Sequence, residues 1–160
     1  MKRVLYVCTG NQCRSAMAEG LLRKLLLDNN INNIEVSSCG LHAYNGAYAT
    51  DEAITVMKTR YDVDIMDHLS KNIREIDLEK MDLILCATNA HKTSIEYEYP
   101  CTKGKIYTMK EYVNGPDVNL DNLDIEDPWG YPFPVYEKVA KEIYDVTTKL
   151  VDKIKQEGIN

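Results

Sequence analysis

Val4-Leu5-Tyr6-Val7-Cys8-Thr9-Gly10-Asn11-Gln12-Cys13-Arg14-Ser15 begins as an apolar strand-forming run and ends it on a thiol. A short polar loop follows, then an arginine and a serine, and then a helix. The helix is legible because Met17, Leu21, Leu22, Leu25 and Leu26 recur at three- and four-residue spacing. A strand that turns directly into a helix surrounds its loop with backbone N–H groups left unpaired at the helix start. Those donors, with the positive end of the helix dipole, suit a tetrahedral oxyanion. The same field stabilises a thiolate, the reactive form of cysteine.

Working outward, Ile34 to Ser38 is a short alternating strand. Asp82 to Ala87 is apolar nearly throughout, as a strand buried on both faces is, and Lys105 to Met109 makes a fourth. Helices lie between them. One starts at Thr50, a capping residue with Asp51 and Glu52 in its first turn, and runs to about Arg60. Another covers Asn89 to Tyr97. The last carries Val135, Val139, Ile143, Val146, Leu150 and Ile154 on one stripe. Asn29-Asn30 closes the first helix by turn chemistry. Residues 65–77 read as loop with a helical turn, and 112–134, rich in Pro, Gly, Asn and Asp, as a long loop. Strands alternating with helices predict an α/β fold: a parallel sheet with helices on both faces, in one domain over residues 1–160. Ligands of such sheets sit beyond the carboxyl ends of the strands, which is where Cys8 falls.

Composition narrows the partners. The formal charge of −6 argues against nucleic acid and anionic membranes, which reward clustered Lys and Arg. No stretch approaches the roughly 20 apolar residues of a membrane span, so no membrane insertion is expected. The start Met1-Lys2-Arg3 is followed by too short an apolar run for a secretory signal. Five cysteines, an odd number, suit free thiols in a reducing compartment, and the expected location is cytoplasmic.

The chemistry expected at the loop is nucleophilic attack on phosphorus by Cys8. Arg14 offers a planar fork matched to two phosphate oxygens. The Ser15 hydroxyl is placed to bond the thiolate and help sulfur leave. Gly10 and Asn11 tolerate positive φ, which lets successive N–H groups from Thr9 to Ser15 turn inward around an anion such as phosphate, sulfate or vanadate. No Gly-Lys-Ser/Thr follows, so the loop is not a nucleotide cradle. A leaving alkoxide or phenoxide needs a proton, and the best candidate donor is Asp127, stiffened by Pro128 and flanked by Trp129, a flat wall on which an aromatic ring can stack.

Cys8-Thr9-Gly10-Asn11-Gln12-Cys13-Arg14-Ser15, with Asp127-Pro128 near the end of the chain, resembles the low-molecular-weight protein tyrosine phosphatases across essentially the whole length. The resemblance implies a single-domain three-layer α/β/α fold with a four-stranded parallel flavodoxin-like sheet and neither metal nor organic cofactor. It implies that Cys8 becomes a phosphocysteine, Arg14 binds the phosphoryl group, and Asp127 serves as general acid and then as base. It makes Ser38 and His68 supports of the loop, with Asn11 holding its conformation. Cys13 becomes a partner that closes a reversible disulfide onto Cys8. Tyr44 stands at a pocket wall and, with Trp129, would form a deep slot for an aryl phosphate. The implied substrates are phosphotyrosine-containing proteins or small aryl phosphates. His42 and His91 are left structural or solvated.

Cys39 and Thr88 depart from the family's usual residues, and Trp129-Gly130 replaces the tyrosine pair that some members carry. Thioredoxin-coupled arsenate reductases share this fold and loop and are the alternative. They need two further cysteines close together, whereas here Cys86 falls within a strand and only Cys101 follows it.

Overall fold

The computed structural model describes residues 1–115 and 122–159. Four parallel strands form one sheet: β1 (Lys2–Cys8), β2 (Ile34–Gly40), β3 (Leu83–Cys86) and β4 (Ile106–Thr108), in the order β2-β1-β3-β4. Helices α1 (Arg14–Asp28), α2 (Asp51–Tyr61), α3 (Asn89–Glu98), α4 (Met109–Asn114) and α5 (Phe133–Glu157) join and cover them.

The side-chain period of the strands divides the core in two. Val4, Tyr6, Leu83 and Leu85 face a layer built from α1, α2 and α5, including Met17, Leu22, Met57, Val139, Ile143 and Leu150. Leu5, Val7, Ile84 and Cys86 face the other way, onto Ile95 of α3. All four residues of β3 are buried, which explains a run without alternation. The three-layer α/β/α arrangement is therefore as expected from the sequence.

The helix ends follow local chemistry. Thr50 caps α2 through a bond from the Ala53 N–H, and Asp62 ends it at φ 55. Asn30 takes φ 58 just after α1. Two expectations change. The fourth strand is shorter, because Thr108 and Glu111 form a capping box that starts α4 at Met109. The stretch 112–134 is thus not all loop: it begins within α4 and ends within α5, and its residues 116–121 lie outside the described residues.

Strand order reverses between β1 and β3, so β1 delivers Cys8 to the crevice at the switch point. β2 closes in beside it. A Cβ on Gly40 would stand 2.5 Å from the Thr9 carbonyl oxygen and 2.9 Å from the Asn11 nitrogen. Only glycine permits that approach, and it lets Leu41 and His42 donate N–H bonds to the Cys8 and Thr9 carbonyls at 3.0 and 2.9 Å.

Candidate active site

Residues 8–14 wrap tightly under the N-terminus of α1. Cys8 is 2% exposed, with Sγ 2.9 Å from Ser15 Oγ and 3.3 Å from the Asn11 N–H. Ser15 Oγ accepts from Asn11 Nδ2 at 2.8 Å, so its own hydrogen is left for the sulfur at 2.9 Å or the Cys39 carbonyl at 3.4 Å. Asn11 carries the loop's left-handed turn at φ 58, whereas Gly10 keeps an ordinary negative φ. Of the two residues that tolerate positive φ, only Asn11 takes it. A Cβ at Gly10 would meet only the Gln12 side chain, at 3.8 Å, so one left-handed residue suffices for the turn.

Asn11 is held from every side. Its Nδ2 also donates to Ser38 Oγ at 2.9 Å, its Oδ1 accepts from the Lys71 N–H at 2.9 Å, and its carbonyl accepts from His68 Nε2 at 2.7 Å. Ser38 and His68 thus both bond Asn11. Behind them is a residue the sequence reading missed. Glu19, buried on α1, accepts from Ser38 and pairs with Arg23 at 2.6 Å, with His68 Nδ1 3.9 Å away. Its signal was a carboxylate one helical turn after Ser15, on the apolar side of α1.

Arg14 is 4% exposed. Nη1 donates to the Ile125 carbonyl at 2.9 Å, and Nη2 lies 3.5 Å from both Thr9 Oγ1 and Asp127 Oδ2. Its Nε is buried and finds no partner among the described residues. A buried charged donor left open is costly, and an oxyanion in the loop would satisfy it. The segment before Asp127 is pinned to the sheet end: Ile125 N–H donates to the Ala87 carbonyl, and Lys110 Nζ to the Asp124 carbonyl, both at 2.9 Å. Asp127 itself is half exposed and accepts from the Trp129 N–H at 3.1 Å.

These groups share a cavity of about 270 Å³ lined by Cys8, Thr9, Gln12, Arg14, Asp127 and Trp129, with His42 and Tyr44 at its edge. The deep aromatic slot is corrected to an open mouth. Tyr44 is 88% and Trp129 63% exposed. The Gln12 side chain leans to the rim and donates to the Tyr48 carbonyl at 2.9 Å.

Cys13 is buried, with Sγ 3.4 Å from the Tyr136 hydroxyl and 3.6 Å from Thr50 Oγ1; burial pushes its thiol up to about 11. Cys39 and Cys86 lie buried on the opposite face of the sheet, and burial pushes both thiols up. Thr88 caps α3 through the His91 N–H. His91 is the second residue the sequence reading undervalued. It is 7% exposed, and its Nε2 lies 2.9 Å from Thr9 Oγ1. Burial, helped by the Arg14 charge, lowers its pKa to about 4. A histidine in the first turn after a strand that ends at the crevice was the available signal.

Cys8 and Arg14 thus meet around a tight loop at the switch point of a parallel sheet. The chain belongs to the low molecular weight phosphotyrosine protein phosphatase family, which it matches over residues 3–160, and is a phosphatase. It is 34% identical over 155 residues to a protein-arginine-phosphatase of Geobacillus stearothermophilus, covering 97% of each chain. It is likewise 34% identical over 153 residues to the low molecular weight protein-tyrosine-phosphatase PtpB of Staphylococcus epidermidis, covering 96% of each. Among solved structures, the low molecular weight protein tyrosine phosphatase of T. tengcongensis superposes with a TM-score of 0.86 at 41% identity, over 96% of this chain and 99% of that one.

Proposed function

We propose that the protein hydrolyses phosphotyrosine in proteins, and small aryl phosphates, through a phosphocysteine at Cys8. The observation that carries this is the sulfur at 2.9 Å from Ser15 Oγ, beside a buried Arg14 whose Nε has no partner among the described residues. In the first step the Cys8 thiolate attacks phosphorus, the P–O bond breaks, and Asp127 gives its proton to the leaving oxygen. Arg14 and the loop N–H groups from Thr9 to Ser15 hold the equatorial oxygens, where charge is spread in the transition state. In the second step Asp127 takes a proton from water, the hydroxide displaces sulfur, and the Ser15 hydroxyl stabilises the departing thiolate. Tyr44 and Trp129 supply flat surfaces for the leaving ring at the mouth. The charge is handled by protein donors throughout, so activity is expected without added metal.

Cys13 is assigned as the partner that closes a disulfide onto an oxidised Cys8, waiting as a neutral thiol in its buried position. The five cysteines are all free thiols, and we assign the protein to the cytoplasm. A second reading, phosphoarginine as substrate, is favoured by the relative named as a protein-arginine-phosphatase, and an exposed aromatic wall stacks on a guanidinium plane as it does on a phenyl ring. Arsenate reduction is less well supported, since Cys86 is wholly buried within β3 while Cys101 is exposed.

The test is hydrolysis of para-nitrophenyl phosphate in the presence of a chelator, with vanadate as inhibitor. Cys8→Ser should abolish turnover, and a Cys8→Ser protein that remains active rejects the nucleophile. Asp127→Ala should slow the reaction about 100-fold or more, most for poor leaving groups. Phosphotyrosine and phosphoarginine peptides, compared by kcat/KM, decide between the two substrate readings.

A further inference from the structure

Thr9 enters the family signature as a loop residue that offers its backbone. Its side chain has a different environment. Thr9 Oγ1 lies 2.9 Å from His91 Nε2 and 3.5 Å from Arg14 Nη2, and the residue lines the cavity. His91 comes from α3, across the crevice, and its other ring nitrogen, Nδ1, is buried with no partner among the described residues.

The proton on the imidazole follows from that asymmetry. A neutral ring places its hydrogen on one nitrogen only. Buried N–H donors without an acceptor are rarer in folded proteins than under-satisfied acceptors. The hydrogen therefore sits on Nε2, and His91 donates to Thr9 Oγ1. Arg14 has no acceptor capacity, so its Nη2 also donates to that oxygen. Both lone pairs of the hydroxyl are then taken, and its own hydrogen has to go elsewhere. The open direction is the cavity.

We propose that His91 is a positioning residue that turns the Thr9 hydroxyl into a donor to an oxygen of the bound phosphoryl group. His91 does not touch the substrate. It fixes which way a hydroxyl points, and it ties the start of α3 to the guanidinium edge of Arg14. The hydrogen bond so directed ends on a charged oxygen in a buried site, where one donor is worth about 10- to 100-fold in binding.

The inference rests on the phosphatase reading of the loop and is tested on the intact protein by a double-mutant cycle. Thr9→Val and His91→Phe keep shape and remove the two polar groups. Each should lower kcat/KM for para-nitrophenyl phosphate about 10-fold or more and weaken inhibition by inorganic phosphate to a similar degree. Neither should change how the rate depends on leaving group, since the acid is untouched. The double variant should be no worse than Thr9→Val alone. His91→Gln, which keeps an amide donor, should recover most of the loss. Should His91→Phe fail to fold, Thr9→Val alone still decides, because the hydroxyl has to matter for phosphate inhibition. Independent, additive losses, or a Thr9→Val protein that binds phosphate like wild type, overturn the role of His91. A wild-type protein without phosphatase activity instead overturns the reading of the loop, so the two failures are distinct.

Discussion

Asn11 at the floor of the cavity is wholly buried and makes three side-chain hydrogen bonds, whereas Tyr44 and Trp129 at its mouth are 88% and 63% exposed. The floor is over-determined: Ser15, Ser38, Lys71 and His68 each fix Asn11, and Glu19 fixes Ser38 in turn. The mouth has little to hold it. A floor of this kind is preorganised for one shape, the phosphoryl group common to every substrate, and binding need not pay to order it. An open mouth accepts the part that varies, the phosphorylated side chain and its surrounding protein. Damage to the floor should therefore reach both stability and chemistry, and damage to the mouth should reach substrate choice alone.

Asn11→Ala tests the floor and should show the largest effect. It removes three side-chain bonds, leaves the Lys71 N–H without its acceptor, and forces a Cβ-bearing residue without a local hydrogen bond to hold φ 58. At about 1 kcal/mol per net bond and about 1–2 kcal/mol for the left-handed residue, the loss of stability should be about 4–5 kcal/mol by urea unfolding. kcat should fall with it. A variant that unfolds like wild type would show that the network is decoration around a loop held by its backbone alone.

The pH dependence of stability gives a smaller effect on the same side of the comparison. His91 has a pKa of about 4 in the folded protein against an ordinary 6.5, because burial and the Arg14 charge disfavour its cation. Between those values the unfolded chain binds the proton and the folded one does not, so stability present above about pH 6.5 drains away as pH falls towards 4. Carboxylates titrate in the same range, and His91→Gln separates them. From about pH 7 to about pH 4.5 the wild type should lose more of its urea midpoint than His91→Gln does. Equal losses would place His91 in a wetter setting than its 7% exposure implies.

How much of this was legible in the residues depended on whether the cause was local. The strand-loop-helix at 4–15 could be read because apolar spacing, loop length and helix start are all short-range, and Cys8, Arg14 and Ser15 fall where it placed them. Thr50 as a cap and Asn29-Asn30 as a stop were legible for the same reason. That Gly10 and Asn11 both tolerate positive φ was legible, but which of them takes it was not, and the left-handed position falls to Asn11. Glu19 and His91 left only faint signals, a carboxylate one turn after Ser15 and a histidine in the first turn after β3. Each acts through a partner many residues away, Ser38 for one and Thr9 for the other, and no periodicity reports which polar side chain on a helix faces a loop. The 109–114 helix was hidden in a loop-like composition, its capping box outweighed by the Pro and Gly that follow.

Trp129→Ala tests the mouth and should show the smallest effect. The indole is 63% exposed, and its backbone N–H, which bonds Asp127 Oδ1 at 3.1 Å, survives the substitution. Stability should change by no more than about 0.5 kcal/mol, as for a surface site. Stacking on an aromatic leaving group is worth about 0.5–1.5 kcal/mol, so KM for phosphotyrosine peptides should rise about 2- to 12-fold with kcat nearly unchanged. The loss belongs to the ring and not to the phosphoryl group. Inhibition by inorganic phosphate, which touches only the floor, should therefore stay as in wild type. If phosphate inhibition weakens together with KM, Trp129 is holding Asp127 or the loop in place, and the division between a rigid floor and a loose mouth fails at the residue chosen to represent the mouth.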